Sequence, residues 1–96
     1  MRKVVAAAIG CASIAAATVA SAEPPAGAAA CSGCHPSVAR GPSPVARLNG
    51  RDRAEIIKAM QDFRSGARAG TVMDRIAKGF TDAEIQAIAA WYAEQK

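Results

Sequence analysis

Two stretches of the chain place their hydrophobic residues on one face of a helix. In the first, Ile56, Met60 and Phe63 recur at helical spacing with Ile57 beside them. Asp52 stands ahead of them with Glu55 three residues on. This is a capping box, in which side chains take up backbone N–H groups that the first turn leaves without partners. Ser65-Gly66 closes the stretch, and glycine readily takes the left-handed conformation that ends helices. The pattern predicts a helix over residues 52–64. In the second stretch, Thr81-Asp82-Ala83-Glu84 is another capping box, and Ile85, Ile88, Ala89 and Tyr92 follow on one face. Between the two, residues 66–72 read as loop, and a short helix over 73–78 stops at Gly79. Upstream, the small residues of 23–30 favour a helix after Pro24-Pro25 that leads into Cys31. Residues 36–50 carry Pro36, Gly41, Pro42, Pro44 and Gly50, punctuation that predicts an extended loop. No stretch alternates at period two and nothing repeats, so the expected fold class is all-α with three to four helices.

The start of the chain has a different pattern. Met1-Arg2-Lys3 is followed by an uncharged run from Val4 to Ala20, which closes on Val19-Ala20-Ser21-Ala22. A short basic region, an apolar region and a small-residue cleavage site make a secretory signal. Residues 1–22 are therefore expected to be cleaved, leaving one domain over 23–96 that is exported to the periplasm. The run is too short and alanine-rich for a good bilayer span, so no stable membrane span is expected after cleavage. Cys11, after Ala8-Ile9-Gly10, faintly echoes a lipoprotein cleavage box, but lipidation there would leave a very short apolar region. The remaining domain is small, and Phe63, Phe80, Trp91 and Tyr92 are its only aromatic residues. Such a domain buries too little surface to be comfortably stable alone and needs a staple or a cofactor. The formal charge of +4 falls when Arg2 and Lys3 leave with the signal. With no basic run interleaved with aromatics, nucleic acid is not an expected partner.

Cys31-Ser32-Gly33-Cys34-His35 carries the chemistry. C-x-x-C-H is the attachment signature of c-type haem. Two thiols add across the vinyl groups of the porphyrin, and the adjacent histidine offers its Nε2 to the iron. A redox-active dithiol would need a strand–helix context that this chain lacks. A zinc site would lack ligands, since the mature chain has no further cysteine and no other histidine. A disulfide across two residues would close a loop too small to stabilise much. The expected cofactor is one covalent haem c, held by Cys31 and Cys34 with His35 as axial ligand. The second ligand is expected to be a methionine. Met60 lies on the apolar stripe and reads as core filler. Met73 sits where loop meets helix, the better place for a ligand.

With these residues in view, the sequence resembles a class I c-type cytochrome across essentially the whole of 23–96. The matching features are Cys31-x-x-Cys34-His35, a proline-bearing loop, a middle helix, a loop methionine and a final helix with Trp91-Tyr92. Within that class, Phe63–Arg68 and Thr71–Ile85 look like the haem subunit of flavocytochrome c sulfide dehydrogenase. The resemblance implies that the first and last helices cross closely, with Gly27, Ala28 and Ala29 as the small surface and Trp91 or Tyr92 as the bulk. It implies Met73 as distal ligand. It also implies that a loop proline carbonyl accepts the hydrogen bond of His35, with Pro42 the first choice and Pro44 the second. The family often has glycine where this chain has Pro36, and the 36–49 loop looks short beside it.

These expectations describe an electron carrier rather than an enzyme. With both axial positions filled, the iron would cycle between its ferrous and ferric states, wrapped by Ile56, Ile57, Val72, Ile76 and Ile88. Arg40, Arg47, Arg51, Arg53, Arg64, Arg68, Arg75 and Lys78 are candidates to ring the haem edge or meet its propionates, with Arg64 and Arg68 singled out. Redox proteins are the expected partners, a sulfide-oxidising flavoprotein subunit among them. The chain has no G-x-G-x-x-G flavin motif of its own. The rival is a five-coordinate haem enzyme or gas-binding sensor with an open distal site. A third reading is an assembly module in which haem is mainly a staple.

Overall fold

The computed structural model describes residues 10–11, 23–38 and 41–96. The signal expected over residues 1–22 lies outside the described residues, apart from Gly10 and Cys11. The described chain is helical without strands: α1 (Ala28–Cys31), α2 (Arg53–Ser65), α3 (Met73–Ala77) and α4 (Asp82–Glu94).

The two longer helices begin and end where local chemistry places them. The Asp52 side chain accepts from the Glu55 N–H at 3.1 Å, and α2 stops at Gly66 with φ of 84°. Thr81 Oγ1 accepts from the Glu84 N–H at 3.2 Å and donates to the Glu84 carboxylate at 3.0 Å. The predicted face of α4 is the buried one, with Ile85, Ile88, Ala89 and Tyr92 all in the interior. On α2 only Ile56 is fully buried, while Ile57, Met60 and Phe63 are partly covered.

The first helix is shorter than residues 23–30 suggest. Gly27 takes φ of 85°, and helix runs only from Ala28 to Cys31. The reason is tertiary. Gly27 packs so closely on α4 that a Cβ there would lie 2.6 Å from the Phe80 ring and 3.6 Å from Ile88. Ala28 is fully buried, and its carbonyl accepts from the Tyr92 hydroxyl at 2.5 Å. Ala29 is exposed and takes no part in this contact. The expected crossing of first and last helices therefore rests on Gly27 and Ala28 against Phe80, Ile88 and Tyr92.

Ala28, Ile56, Ile88, Ala89 and Tyr92 form the core, with Cys31, Leu48, Ile57, Phe80 and Trp91 packed around it. Trp91 meets the Tyr92 ring edge to face, with centroids 4.9 Å apart. Arg64 ties the corner before α4 to α2, donating to the Phe80 carbonyl at 2.6 Å and to Asp82 at 2.5 Å. The 36–50 loop returns to α4 at its far end, where the Gly50 N–H donates to the Tyr92 carbonyl at 3.0 Å. Among the described residues, three of the seven buried hydrophobic residues are alanines, so this core has little volume. Val72 and Ile76 stand 49% and 38% exposed on either side of Met73, leaving apolar surface open on the α3 side.

Candidate haem site

Helix α1 is short because it runs directly into a tight turn that carries the attachment motif. The Cys34 and His35 N–H groups both donate to the Cys31 carbonyl, at 3.2 and 2.9 Å, and the Gly33 N–H to Ala30 at 3.3 Å. Ser32 Oγ donates to the Ala29 carbonyl at 2.7 Å. One turn of backbone thus carries two free thiols and the imidazole. Cys31 is half-buried against the core, and burial pushes its thiol above the ordinary value. Cys34 is exposed.

His35 Nδ1 lies 2.5 Å from the Ala46 carbonyl oxygen. A carbonyl can only accept, so Nδ1 carries the hydrogen and the neutral ring keeps its lone pair at Nε2. Such a partner fixes the orientation of a ligating histidine and raises its basicity. This corrects the sequence expectation. The acceptor is Ala46 rather than Pro42 or Pro44, because the loop closes on the ring two residues beyond Pro44 and not at the prolines themselves. Pro42 and Pro44 instead line an open hollow with Ser32, Pro36 and Arg47.

Met73 opens α3, partly buried, beside a close approach. A Cβ on Gly70 would lie 3.0 Å from the Phe63 ring and 3.4 Å from the Met73 Cβ. The loop from α2 thus brings Met73 back beside the end of that helix. Met60 lies within α2, also partly buried.

The basic residues separate into distinct roles. Arg64, a sequence candidate for the propionates, is instead taken up by Phe80 and Asp82. Arg68, the other, lies over the Phe63 ring at 4.9 Å. Arg53 donates to Gln86 at 3.0 Å, and Arg51 faces Glu55 at 4.0 Å. Arg40 lies outside the described residues. Arg47 was not singled out from sequence, since its distinguishing feature is burial: its Nε is buried with no hydrogen-bond partner among the described residues. From sequence it was one of eight cations named for the haem edge or the propionates.

These features suit a covalent haem. The thiols and the imidazole share one turn, Nε2 is free to ligate, apolar surface is open beside a methionine, and the buried Nε of Arg47 lacks an acceptor among the described residues. Among the described residues no helix is long and apolar enough to cross a membrane. The helical fold and this turn are those that a class I c-type cytochrome would have, as the sequence resemblance implies. No family model matches the chain. Its curated relatives include the cytochrome subunit of sulfide dehydrogenase from Chlorobaculum tepidum, 39% identical over 62 residues that cover 65% of this chain and 56% of that protein. Cytochrome c-552 of Acidithiobacillus ferridurans is 39% identical over 62 residues, 65% of this chain and 27% of that protein. The thiosulfate dehydrogenase electron acceptor of Stutzerimonas stutzeri is 41% identical over 63 residues, 64% of this chain and 29% of that protein. The chain thus spans about half of the first of these relatives and under a third of the other two. The cofactor of this class is covalent haem c, and Cys31 and Cys34 fit its attachment motif.

Proposed function

We propose that this protein is a periplasmic electron-transfer cytochrome that takes electrons from a dehydrogenase and passes them to a redox partner, with no catalysis of its own. The observation that carries the reading is the C-x-x-C-H turn with His35 Nδ1 held by the Ala46 carbonyl. When bound, the haem supplies reversible one-electron exchange between ferrous and ferric iron. Cys31 and Cys34 would hold its edge as thioethers. The Ala46 carbonyl keeps His35 in the tautomer that presents Nε2 to the iron. Met73, at the start of α3, would offer its thioether to the iron, and a methionine ligand would favour the ferrous state. Tyr92, Phe80 and Trp91 keep the attachment turn seated on α4 and limit its movement between redox states.

A flavoprotein that oxidises sulfide is the donor best matched by the relative from Chlorobaculum tepidum, whose name places it as a subunit of sulfide dehydrogenase. The Stutzerimonas stutzeri relative is named as an electron acceptor of thiosulfate dehydrogenase, which supports a sulfur-oxidising donor more broadly. Residues 1–22 act as the export signal and residues 23–96 as the working domain. The relatives lend no support to a five-coordinate enzyme or gas sensor.

The test is an optical spectrum of the purified protein, oxidised and reduced, extended to the near-infrared methionine–iron band. A low-spin spectrum with that band is expected. Met73→Ala removes the band, whereas Met60→Ala keeps it and loses about 2–5 kcal/mol of stability at most, the upper end applying only to a fully buried methionine. A high-spin ferric spectrum that shifts with carbon monoxide after reduction overturns the carrier reading. Covalent haem surviving acid–acetone extraction in a Cys31→Ala, Cys34→Ala double variant overturns the attachment.

A further inference from the structure

We propose that Asn49-Gly50 is a masked self-modification site: its docking on the end of α4 keeps Asn49 from losing its amide nitrogen, and a chain in which that docking opens converts Asn49 to isoaspartate or aspartate. The inference does not depend on the haem reading above. Asn49 is the chain's one asparagine, and glycine follows it. The chemistry needs no co-reactant but water. The Gly50 backbone nitrogen gives up its proton and bonds to the side-chain carbonyl carbon of Asn49. The bond from that carbon to Nδ2 breaks, ammonia leaves, and a cyclic imide remains. Water then opens the imide at either carbonyl. One opening gives aspartate, and the other gives isoaspartate, whose main chain runs through the former side chain. Glycine suits the attack because it has no Cβ to crowd the nitrogen's approach.

Both reacting groups are engaged in hydrogen bonds to the end of α4. The Gly50 N–H, the nucleophile, donates to the Tyr92 carbonyl at 3.0 Å, and Asn49 Nδ2, the leaving group, donates to the Lys96 carbonyl at 3.4 Å. A nitrogen whose hydrogen is held by an acceptor must break that bond before it can lose the proton. Gly50 also lies so close to α4, with φ of 73°, that a Cβ there would stand 3.3 Å from the Gln95 carbonyl oxygen. Gly50 is exposed, so water reaches the site and the hydrogen bonds, not burial, supply the protection. The same contacts make the change one-way. Asn49 and Gly50 meet the carbonyls of Tyr92, Gln95 and Lys96 where the end of a helix gathers negative charge. A carboxylate at position 49 adds a negative charge there and has no hydrogen to donate. Isoaspartate further lengthens the main chain between Leu48, which packs on the core, and the Gly50 N–H. The converted loop cannot dock as before, and the end of the 36–50 segment comes away from α4.

The test uses the full chain as purified, held at mildly alkaline pH in buffer and, in parallel, in urea above its unfolding midpoint. Intact mass spectrometry follows the exchange of amide for acid. The tryptic peptide Leu48–Arg51 places it, with a zero-time sample subtracting what forms during digestion. Conversion in buffer should run about tenfold or more slowly than in urea, because the Gly50 hydrogen bond must open first. Converted protein, separated by ion exchange, should show a Gly50 N–H that exchanges with deuterium about tenfold or more faster than in the parent. Equal conversion rates in buffer and urea overturn the mask. An unfolded chain that keeps its Asn49 amide overturns the site itself. Converted protein whose Gly50 N–H exchanges as slowly as in the parent overturns the one-way release of the loop.

Discussion

Replacing Gly27 by alanine perturbs the seat of the attachment turn in two separable ways. Gly27 has φ of 85°, and an L-residue in the left-handed region costs about 1–2 kcal/mol. The new Cβ would also stand 2.6 Å from Phe80 Cε1, 3.3 Å from Phe80 Cζ and 3.6 Å from Ile88 Cδ1. Carbon atoms rest at about 3.5–4.0 Å, so the ring must give way by roughly an ångström. Phe80 is packed against the core, and forcing an extra methyl into such a place costs about 1–3 kcal/mol. The two effects together predict a loss of about 2–5 kcal/mol. Gly66→Ala is the control. Gly66 has φ of 84° at the end of α2, with nothing within 4 Å of its would-be Cβ. It should lose only the backbone share, about 1–2 kcal/mol. Urea unfolding of the ferric, haem-loaded protein, followed by far-ultraviolet circular dichroism, measures both at a common slope. A Gly27→Ala variant no less stable than Gly66→Ala would refute the close approach of Gly27 to Phe80.

Other contacts make predictions of the same kind. Tyr92→Phe keeps the ring and removes the hydroxyl, leaving the buried Ala28 carbonyl without its donor, so urea unfolding should show a loss of about 1–3 kcal/mol. The Asp82 side chain is 78% exposed, so Asp82→Asn should cost less than about 1 kcal/mol in the same assay. Arg64→Ala also strips the Phe80 carbonyl of its donor and should cost about 1 kcal/mol more than Asp82→Asn; equal losses would mean that this bond contributes nothing. Burial pushes the Tyr92 phenol above its ordinary 10.0. Its contribution to stability is complete below that value. It is lost as pH rises through 10 toward the folded-state value, because the unfolded chain ionises first. Unfolding midpoints measured from pH 8 upward should fall in the parent and stay flatter in Tyr92→Phe.

Much of the fold was legible because it is decided within a few residues. The starts of α2 and α4 follow from Asp52 with Glu55 and Thr81 with Glu84, side chains that meet their own next turn. The end of α2 follows from Gly66, and the buried face of α4 from the spacing of Ile85, Ile88, Ala89 and Tyr92. The attachment motif was equally plain, since two thiols and an imidazole on one turn need only five consecutive residues. Met73 at the head of a short α3 was foreseen from its place between loop and helix.

What the tertiary structure alone decided involves groups far apart in the chain. Residues 23–30 have the composition of a helix, yet Gly27 turns left-handed and helix starts at Ala28, at a point where Phe80 and Ile88 come so close that a side chain at 27 would not fit. The acceptor for His35 is Ala46 and not a proline, since the identity of an acceptor depends on which carbonyl the folded loop brings to the ring. Arg64 was drawn to Phe80 and Asp82, and the buried Nε of Arg47 has no partner among the described residues. The eight candidate cations look alike in sequence, and only their partners and burial in the fold tell them apart. Periodicity and capping are read from neighbours along the chain. Hydrogen-bond partners and buried charge depend on contacts such as that between Tyr92 and Ala28, sixty-four residues apart, that exist only once the helices pack.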